Sequence, residues 1–220
     1  MKSVYIFSGL GTDERVFNHI DLTGFNKIFI EWVAPQSNES IEKYSQRLSR
    51  QIKLPRPVII GLSFGGIVAM EVCKYVEVEK VVLIASAKTR KEIPFYFKVA
   101  GALCLNKLVP TDLLRSSTFI SNWAFGVSSS NDKRLLSEIL KDTDPVFLRW
   151  AINEIVHWKN KTACAKVIHV HGRMDRILPF MFVKADISIA TGGHFMTVNR
   201  STELTRIIRS ILEDVEPKQA

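Results

Sequence analysis

No apolar run in the sequence is long. The most hydrophobic longer stretch, residues 95–109, is broken by Lys98, Asn106 and Lys107 and falls short of the roughly 20 residues that cross a bilayer, so no membrane-spanning helix is expected. The start, Met1-Lys2-Ser3 before Val4-Tyr5-Ile6-Phe7, lacks the apolar core of roughly 7–15 residues and the small-residue cleavage site of a secretory signal. The mature protein is therefore expected to begin near residue 1. Cysteine is scarce: Cys73, Cys104 and Cys164 are odd in number, sit in mostly apolar surroundings and form no CxxC pair. That argues against a disulfide framework and for reduced core thiols, and so for a cytoplasmic location. Acidic residues number 22 against 30 basic ones, a formal charge of +8, yet no basic run with interleaved aromatics accompanies the excess, so nucleic-acid binding is not expected. No repeat, low-complexity tract or Gly/Ser linker divides the 220 residues, 46% of them hydrophobic, and one domain spanning 1–220 is the default.

What is present reads as alternating strands and helices. Residues 4–7, ended by Ser8-Gly9-Leu10-Gly11, and residues 27–32, ended by Ala34-Pro35, are short apolar runs expected to be buried strands. Ile41, Tyr44, Leu48 and Ile52 recur at helical spacing until Pro55 and Pro57. Val58-Ile59-Ile60, a glycine-rich turn, an apolar helix over about 64–76 and Val81-Val82-Leu83-Ile84 then predict parallel pairing. Residues 88–160 contain no convincing strand but several helical stretches, the clearest opening at Asp144-Pro145 with Phe147, Trp150, Ala151, Ile155 and Trp158 on one face. Strands resume at Val167-Ile168-His169-Val170 and Ile187-Ser188-Ile189. A last helix carries Leu204, Ile207, Ile208 and Ile211, and the polar tail after Asp214 is expected to fray.

One turn carries chemistry. Gly61-Leu62-Ser63-Phe64-Gly65 places a serine between a strand and a helix, where flanking glycines permit a tight, strained backbone. A serine hydroxyl is a poor nucleophile at neutral pH, so it needs a base to take its proton and a third group to orient that base. His194, in Thr191-Gly192-Gly193-His194-Phe195, follows the last strand. Asp175, in His171-Gly172-Arg173-Met174-Asp175, follows the strand before it. Asp186 precedes the last strand and is expected at the opposite edge of the sheet, away from such a site.

With GLSFGG, HGRMD and GGHF in hand, residues 4 to about 212 resemble an α/β-hydrolase-fold serine hydrolase. The resemblance implies an α/β chain with a mostly parallel central sheet, helices on both faces and an active site at the carboxyl ends of the strands. The order Ser63, Asp175, His194 is the family's order of nucleophile, acid and base. Residues 88–160 then look like a helical cap, and the chain like a minimal version without the family's first antiparallel strands. The oxyanion hole would draw on the backbone N–H groups of Phe64 and Leu10, although Ser8 stands where the family usually has histidine. The expected activity is cleavage of a carboxylic ester, thioester or amide through an acyl-Ser63 intermediate, without cofactor or metal. The alternatives are a non-catalytic small-molecule-binding protein on the same fold and a carbon–carbon bond hydrolase using the same triad.

The remaining polar and aromatic residues read more blandly. His169 and His171 alternate on one strand face, but no further ligand set completes a metal site. Asp13 reads as a polar loop residue, and Trp123, Trp150 and Trp158 as core. Residues 88–115 hold six basic side chains against Glu92 and Asp112. As a cap rim they would favour acyl substrates with an apolar tail or a nearby negative charge; as solvated helix faces they would only aid solubility. The partner implied is a small-molecule acyl substrate, and no oligomeric state follows.

Overall fold

The described residues form six strands: β1 (Lys2–Phe7), β2 (Phe25–Phe29), β3 (Val58–Leu62), β4 (Lys80–Ile84), β5 (Val167–Gly172) and β6 (Ile187–Ile189). β2 starts and ends earlier than the expected 27–32 and, at the edge of the sheet, leaves Asn26 and Lys27 exposed. The computed structural model describes residues 2–214. All five strand pairings are parallel, in the order β2-β1-β3-β4-β5-β6, so the sheet is wholly rather than mostly parallel. A parallel sheet must be covered on both faces, which is why its strands read as continuous apolar runs rather than as alternating ones. Successive side chains serve two cores. Val4, Ile6, Ile60, Val82 and Ile84 point into one cluster, and Tyr5, Phe7, Ile59, Val81 and Leu83 into the other.

Helices complete each core. α1 (Ile41–Leu48), α2 (Phe64–Val72) and α7 (Pro145–His157) cover the Tyr5 face. The 3-10 turn Glu14–Phe17, α6 (Ser130–Asp142), α8 (Met196–Asn199) and α9 (Ser201–Leu212) cover the other. Between β4 and β5 also lie α3 (Phe95–Ala102), α4 (Thr111–Leu114) and α5 (Phe119–Phe125), and no strand. Asp144 caps α7 as its sequence suggests, accepting the Phe147 N–H at 2.6 Å with Pro145 in the first turn. No helix of the described residues is long and apolar enough to cross a membrane.

Two local expectations fail. Cys73 and Cys164 are half-buried, but Cys104 is exposed at φ 56°, in the left-handed bend that ends α3. Trp158 is buried and donates to Glu71 Oε1 at 2.7 Å, whereas Trp123 is 54% exposed, because α5 packs against the body through Phe125 instead. The tail expected to fray, residues 215–220, lies outside the described residues.

Strand order positions the site. The chain leaves β1 for β2 on one side and reaches β3 on the other, so the segments after β1 and β3 part at the carboxyl end of the sheet. In a parallel α/β sheet such a switch point opens a crevice.

Candidate active site

The chain passes from β3 into α2 through a single residue. Ser63 adopts φ 49°, ψ −118°, a conformation that costs a side-chain-bearing residue on the order of 1–3 kcal/mol. The turn is held from both sides: Ser63 N–H donates to Ile84 O at 2.9 Å, and Ser86 Oγ donates to Ser63 O at 2.6 Å. Two glycines are required by close approach. A Cβ on Gly61 would stand 2.6 Å from Gly66 Cα, and one on Gly65 would stand 2.1 Å from Ser8 O.

That second contact brings the segment after β1 onto the elbow. Ser8, at the position where histidine is usual, braces this loop: its hydroxyl donates to Thr12 O at 2.6 Å and accepts from Trp32 Nε1 at 2.9 Å. A Cβ on Gly9 would lie 3.6 Å from Ser63 Cβ, so the next residue, Leu10, is close to the serine and lines the cavity in front of it. Phe64 opens α2, where the first backbone N–H groups have no partner inside the helix and carry the positive end of its dipole.

His194 and Asp175 arrive from the segments after β6 and β5. His194 Nδ1–H donates to Asp175 Oδ2 at 2.7 Å, which leaves Nε2 to accept the Ser63 hydroxyl at 2.9 Å. Asp175 is almost fully buried, and its other oxygen accepts the N–H groups of Ile177 and Leu178, both at 2.9 Å. Burial pushes its carboxyl up, but the charge and hydrogen bond of His194, with smaller contributions from His171 and the Leu178 N–H, bring it below the ordinary carboxylate range. The edge of the Phe125 ring meets the His194 ring at 5.7 Å, and Phe195 N–H donates to Phe125 O, so α5 fixes the histidine loop.

Ser63 and His194 face a cavity of about 380 Å³, with Asp175 buried behind the histidine. Of its seventeen lining residues only Thr12, Ser63 and His194 have polar side chains, and none is Lys or Arg. Its walls were not foreseen from sequence, although a signal was present. α7 is apolar on two faces: Phe147, Ala151 and Trp158 pack into the core, while Leu148, Ile152 and Val156 recur every four residues and line the cavity with Phe97, Leu114 and Leu140.

The other candidates lie elsewhere. Asp186 precedes β6, where it accepts from His169 N–H at 2.8 Å and Lys88 at 2.9 Å. Asp13 caps the 3-10 turn and pairs with Arg15. His169 and His171 are buried beside each other, and among the described residues no group of three His, Cys, Asp or Glu could hold a metal. His171 Nε2–H donates to Leu178 O at 2.8 Å, so its Nδ1 accepts from His169 Nε2–H at 3.1 Å. Burial holds both rings neutral and pushes His169 down to about 3. Lys88 and Arg90 are engaged by Asp186 and by Trp158 O, so part of the basic excess in 88–115 is structural.

No protein-family model matches the sequence, and no curated protein does. Solved structures do. A hydrolase from Oleispira antarctica superposes with a TM-score of 0.73 at 13% identity, over 97% of this chain and 92% of its own. The chain has the α/β-hydrolase fold. Further structures with this fold are an esterase from Exiguobacterium antarcticum (TM-score 0.69, 13% identity, 97% and 92% covered) and a bromoperoxidase from Bacillus anthracis (TM-score 0.66, 16% identity, 97% and 92% covered). Within the α/β-hydrolase fold, the cavity here sits at the carboxyl end of the sheet, over β1 and β3.

Proposed function

We propose that the protein is a serine hydrolase that cleaves a carboxylic ester, thioester or amide through an acyl-Ser63 intermediate. The observation that carries this reading is the unbroken line Ser63 Oγ, His194 Nε2, His194 Nδ1, Asp175 Oδ2, with separations of 2.9 and 2.7 Å at its two hydrogen bonds. His194 takes the Ser63 proton as Oγ attacks the carbonyl carbon, and the buried Asp175 carboxylate stabilises the imidazolium that forms. The negative charge that develops on the carbonyl oxygen is met by the Phe64 and Leu10 N–H groups. His194 then returns the proton to the leaving group, and water repeats the sequence to release the acid.

The helical insertion of about residues 88–160 acts in this reading as the cap, although α6 and α7 within it also cover the faces of the sheet. Its helices supply eight of the seventeen residues that line the cavity, so they take a large part in setting the substrate, and the scarcity of polar lining favours an apolar acyl group. A binding protein would have no use for the strained backbone at Ser63, which observation favours turnover over ligand storage. A fluorophosphonate probe tests the assignment: one label is expected, mapped to Ser63 by peptide mass spectrometry and absent from Ser63→Ala. Labelling that persists in the variant refutes it.

A further inference from the structure

Large apolar side chains left in water are unevenly placed on this molecule. Fifteen are exposed among the described residues, and twelve of them fall in two segments, 95–123 and 174–181. The most exposed are Phe119 at 85%, Met181 at 83%, Leu108 at 76% and Ile120 at 74%. Phe95, Val99 and Leu103 recur at four-residue spacing and share one face of α3, as Phe119, Ile120 and Trp123 share one face of α5. The two segments touch. The rings of Phe95 and Tyr96 lie 6.2 and 5.9 Å from Phe182, and the Arg176 guanidinium lies 4.7 Å over the Trp123 ring. The same segments also reach the nucleophile's cavity through Phe97, Leu114 and Ile177.

Charge follows the same pattern. Residues 88–123 and 173–184 contain nine Lys and Arg against three Asp and Glu. Two of those acids, Glu92 and Asp175, are buried, so Asp112 is the exposed one. Lys88 and Arg90 are tied to the protein, while Lys91 and Lys184 are exposed in the same segments, and Arg176, also exposed, donates to Trp123 O at 2.7 Å and keeps its charge on the apolar face. An exposed apolar surface of this kind is uncommon on a monomer unless it meets a partner. Pairing it with a second copy of the chain would bring two basic surfaces together. An anionic lipid surface answers both properties: its headgroups attract Lys and Arg, and the boundary beneath them takes apolar side chains.

We propose that this face docks on an anionic lipid surface, and that the acyl group reaches Ser63 from that surface. The docking rests on the exposed side chains alone, whereas the source of the substrate rests on the hydrolase reading. The test is co-sedimentation of the full chain with vesicles of phosphatidylcholine, alone or mixed with phosphatidylglycerol. Binding to the mixed vesicles is expected to be at least about tenfold tighter, and to weaken between about 0.1 and 1 M salt as screening shortens. Phe119→Asp with Ile120→Asp, neither of which lines the catalytic cavity, should lose that binding while hydrolysing a water-soluble ester as before. Ser63→Ala should bind vesicles undiminished, so a failed hydrolase reading would leave the docking result standing. Absence of vesicle binding overturns the proposal, as does equal, salt-independent binding to both vesicles or binding unchanged by the paired aspartates. A dimer in light scattering that the paired aspartates dissolve, with no vesicle binding, would make this face a self-interface and overturn it too.

Discussion

Asp175→Asn separates the chemical role of the acid from its structural one. Asp175 Oδ1 accepts two backbone N–H groups, from Ile177 and Leu178, so in the variant the amide oxygen must face them and the NH₂ must face His194. The reverse orientation would set donors against two donors. His194 Nδ1 then has to accept, its proton moves to Nε2, and Nε2 can no longer take the proton of Ser63. The wrong tautomer costs on the order of 10⁴ in turnover in the best-studied triad. At about 1.4 kcal/mol per tenfold, that is between about 5 and 6 kcal/mol of transition-state stabilisation. The fold should persist, since shape and both backbone hydrogen bonds remain. Trading the charged hydrogen bond to His194 for a neutral one costs less than the roughly 1.5–3 kcal/mol that a charged hydrogen bond is worth. The assay is kcat/KM on p-nitrophenyl esters of graded acyl length beside a thermal melt. Asp186→Asn, which disturbs only the Lys88 and His169 contacts, should stay within about tenfold of the parent. An Asp175→Asn enzyme within tenfold of the parent, or an Asp186→Asn enzyme that is the dead one, would refute the reasoning.

Two further outcomes follow from the elbow and from the buried histidines. Glycine accepts φ 49°, ψ −118° without the strain that serine bears, so Ser63→Gly should be inactive yet melt about 2–4 °C above Ser63→Ala, a gain of about 1 kcal/mol; a lower melting point than Ser63→Ala would contradict the strain. His169, pushed down to about 3, stays neutral in the fold while an unfolded histidine protonates near 6.5, so its contribution is present above about pH 6.5 and is lost as pH falls toward 3. Urea denaturation across that window should show stability falling by up to about 1.4 kcal/mol per pH unit for this group, and His169→Gln, which keeps a donor for His171, should flatten the curve.

How much of this was legible in the sequence depends on how local the cause is. The central strands announced themselves, because a parallel strand covered on both faces is apolar along its length, and Val58-Ile59-Ile60 or Val81-Val82-Leu83-Ile84 admits little else, whereas the edge strand β2 lies at 25–29 and not at 27–32, with Asn26 and Lys27 exposed. Ser63, Asp175 and His194 stood out for a related reason: each lies within a few residues of a strand's carboxyl end, in a turn whose glycines are dictated by backbone contacts a few ångströms away. Strand order was not legible, since nothing in β1 says that it will lie between β2 and β3. Nor were α4 and α5, one a single turn and the other a helix whose exposed face is as apolar as its packed one, so that periodicity points to no side. Trp123, on α5, was misread for the same cause, and Cys104 because nothing in its apolar neighbours signals the left-handed bend that ends α3.

The cavity is the furthest from local. Its walls come from the segment after β1 and from α3, α4, α5, α6 and α7, and each contributes leucine, isoleucine, valine or phenylalanine, residues that any core would also take. A core tolerates many apolar sequences of the right volume, so a wall built this way leaves no motif, whereas the proposed proton transfer from Ser63 to His194 would tolerate no substitution of type at their separation of 2.9 Å. That asymmetry is physical. In the proposed reading the reaction class is written in three residues fixed by short turns, and the substrate in packing between helices far apart in the chain. The surplus of apolar side chains outside the cavity, on the helices that also form its wall, is then the feature that folding does not account for: those side chains add nothing to either core and lie in the same segments as exposed basic groups. A surface that costs solubility and contributes no packing calls for a partner, which is the role that the lipid-docking proposal gives it.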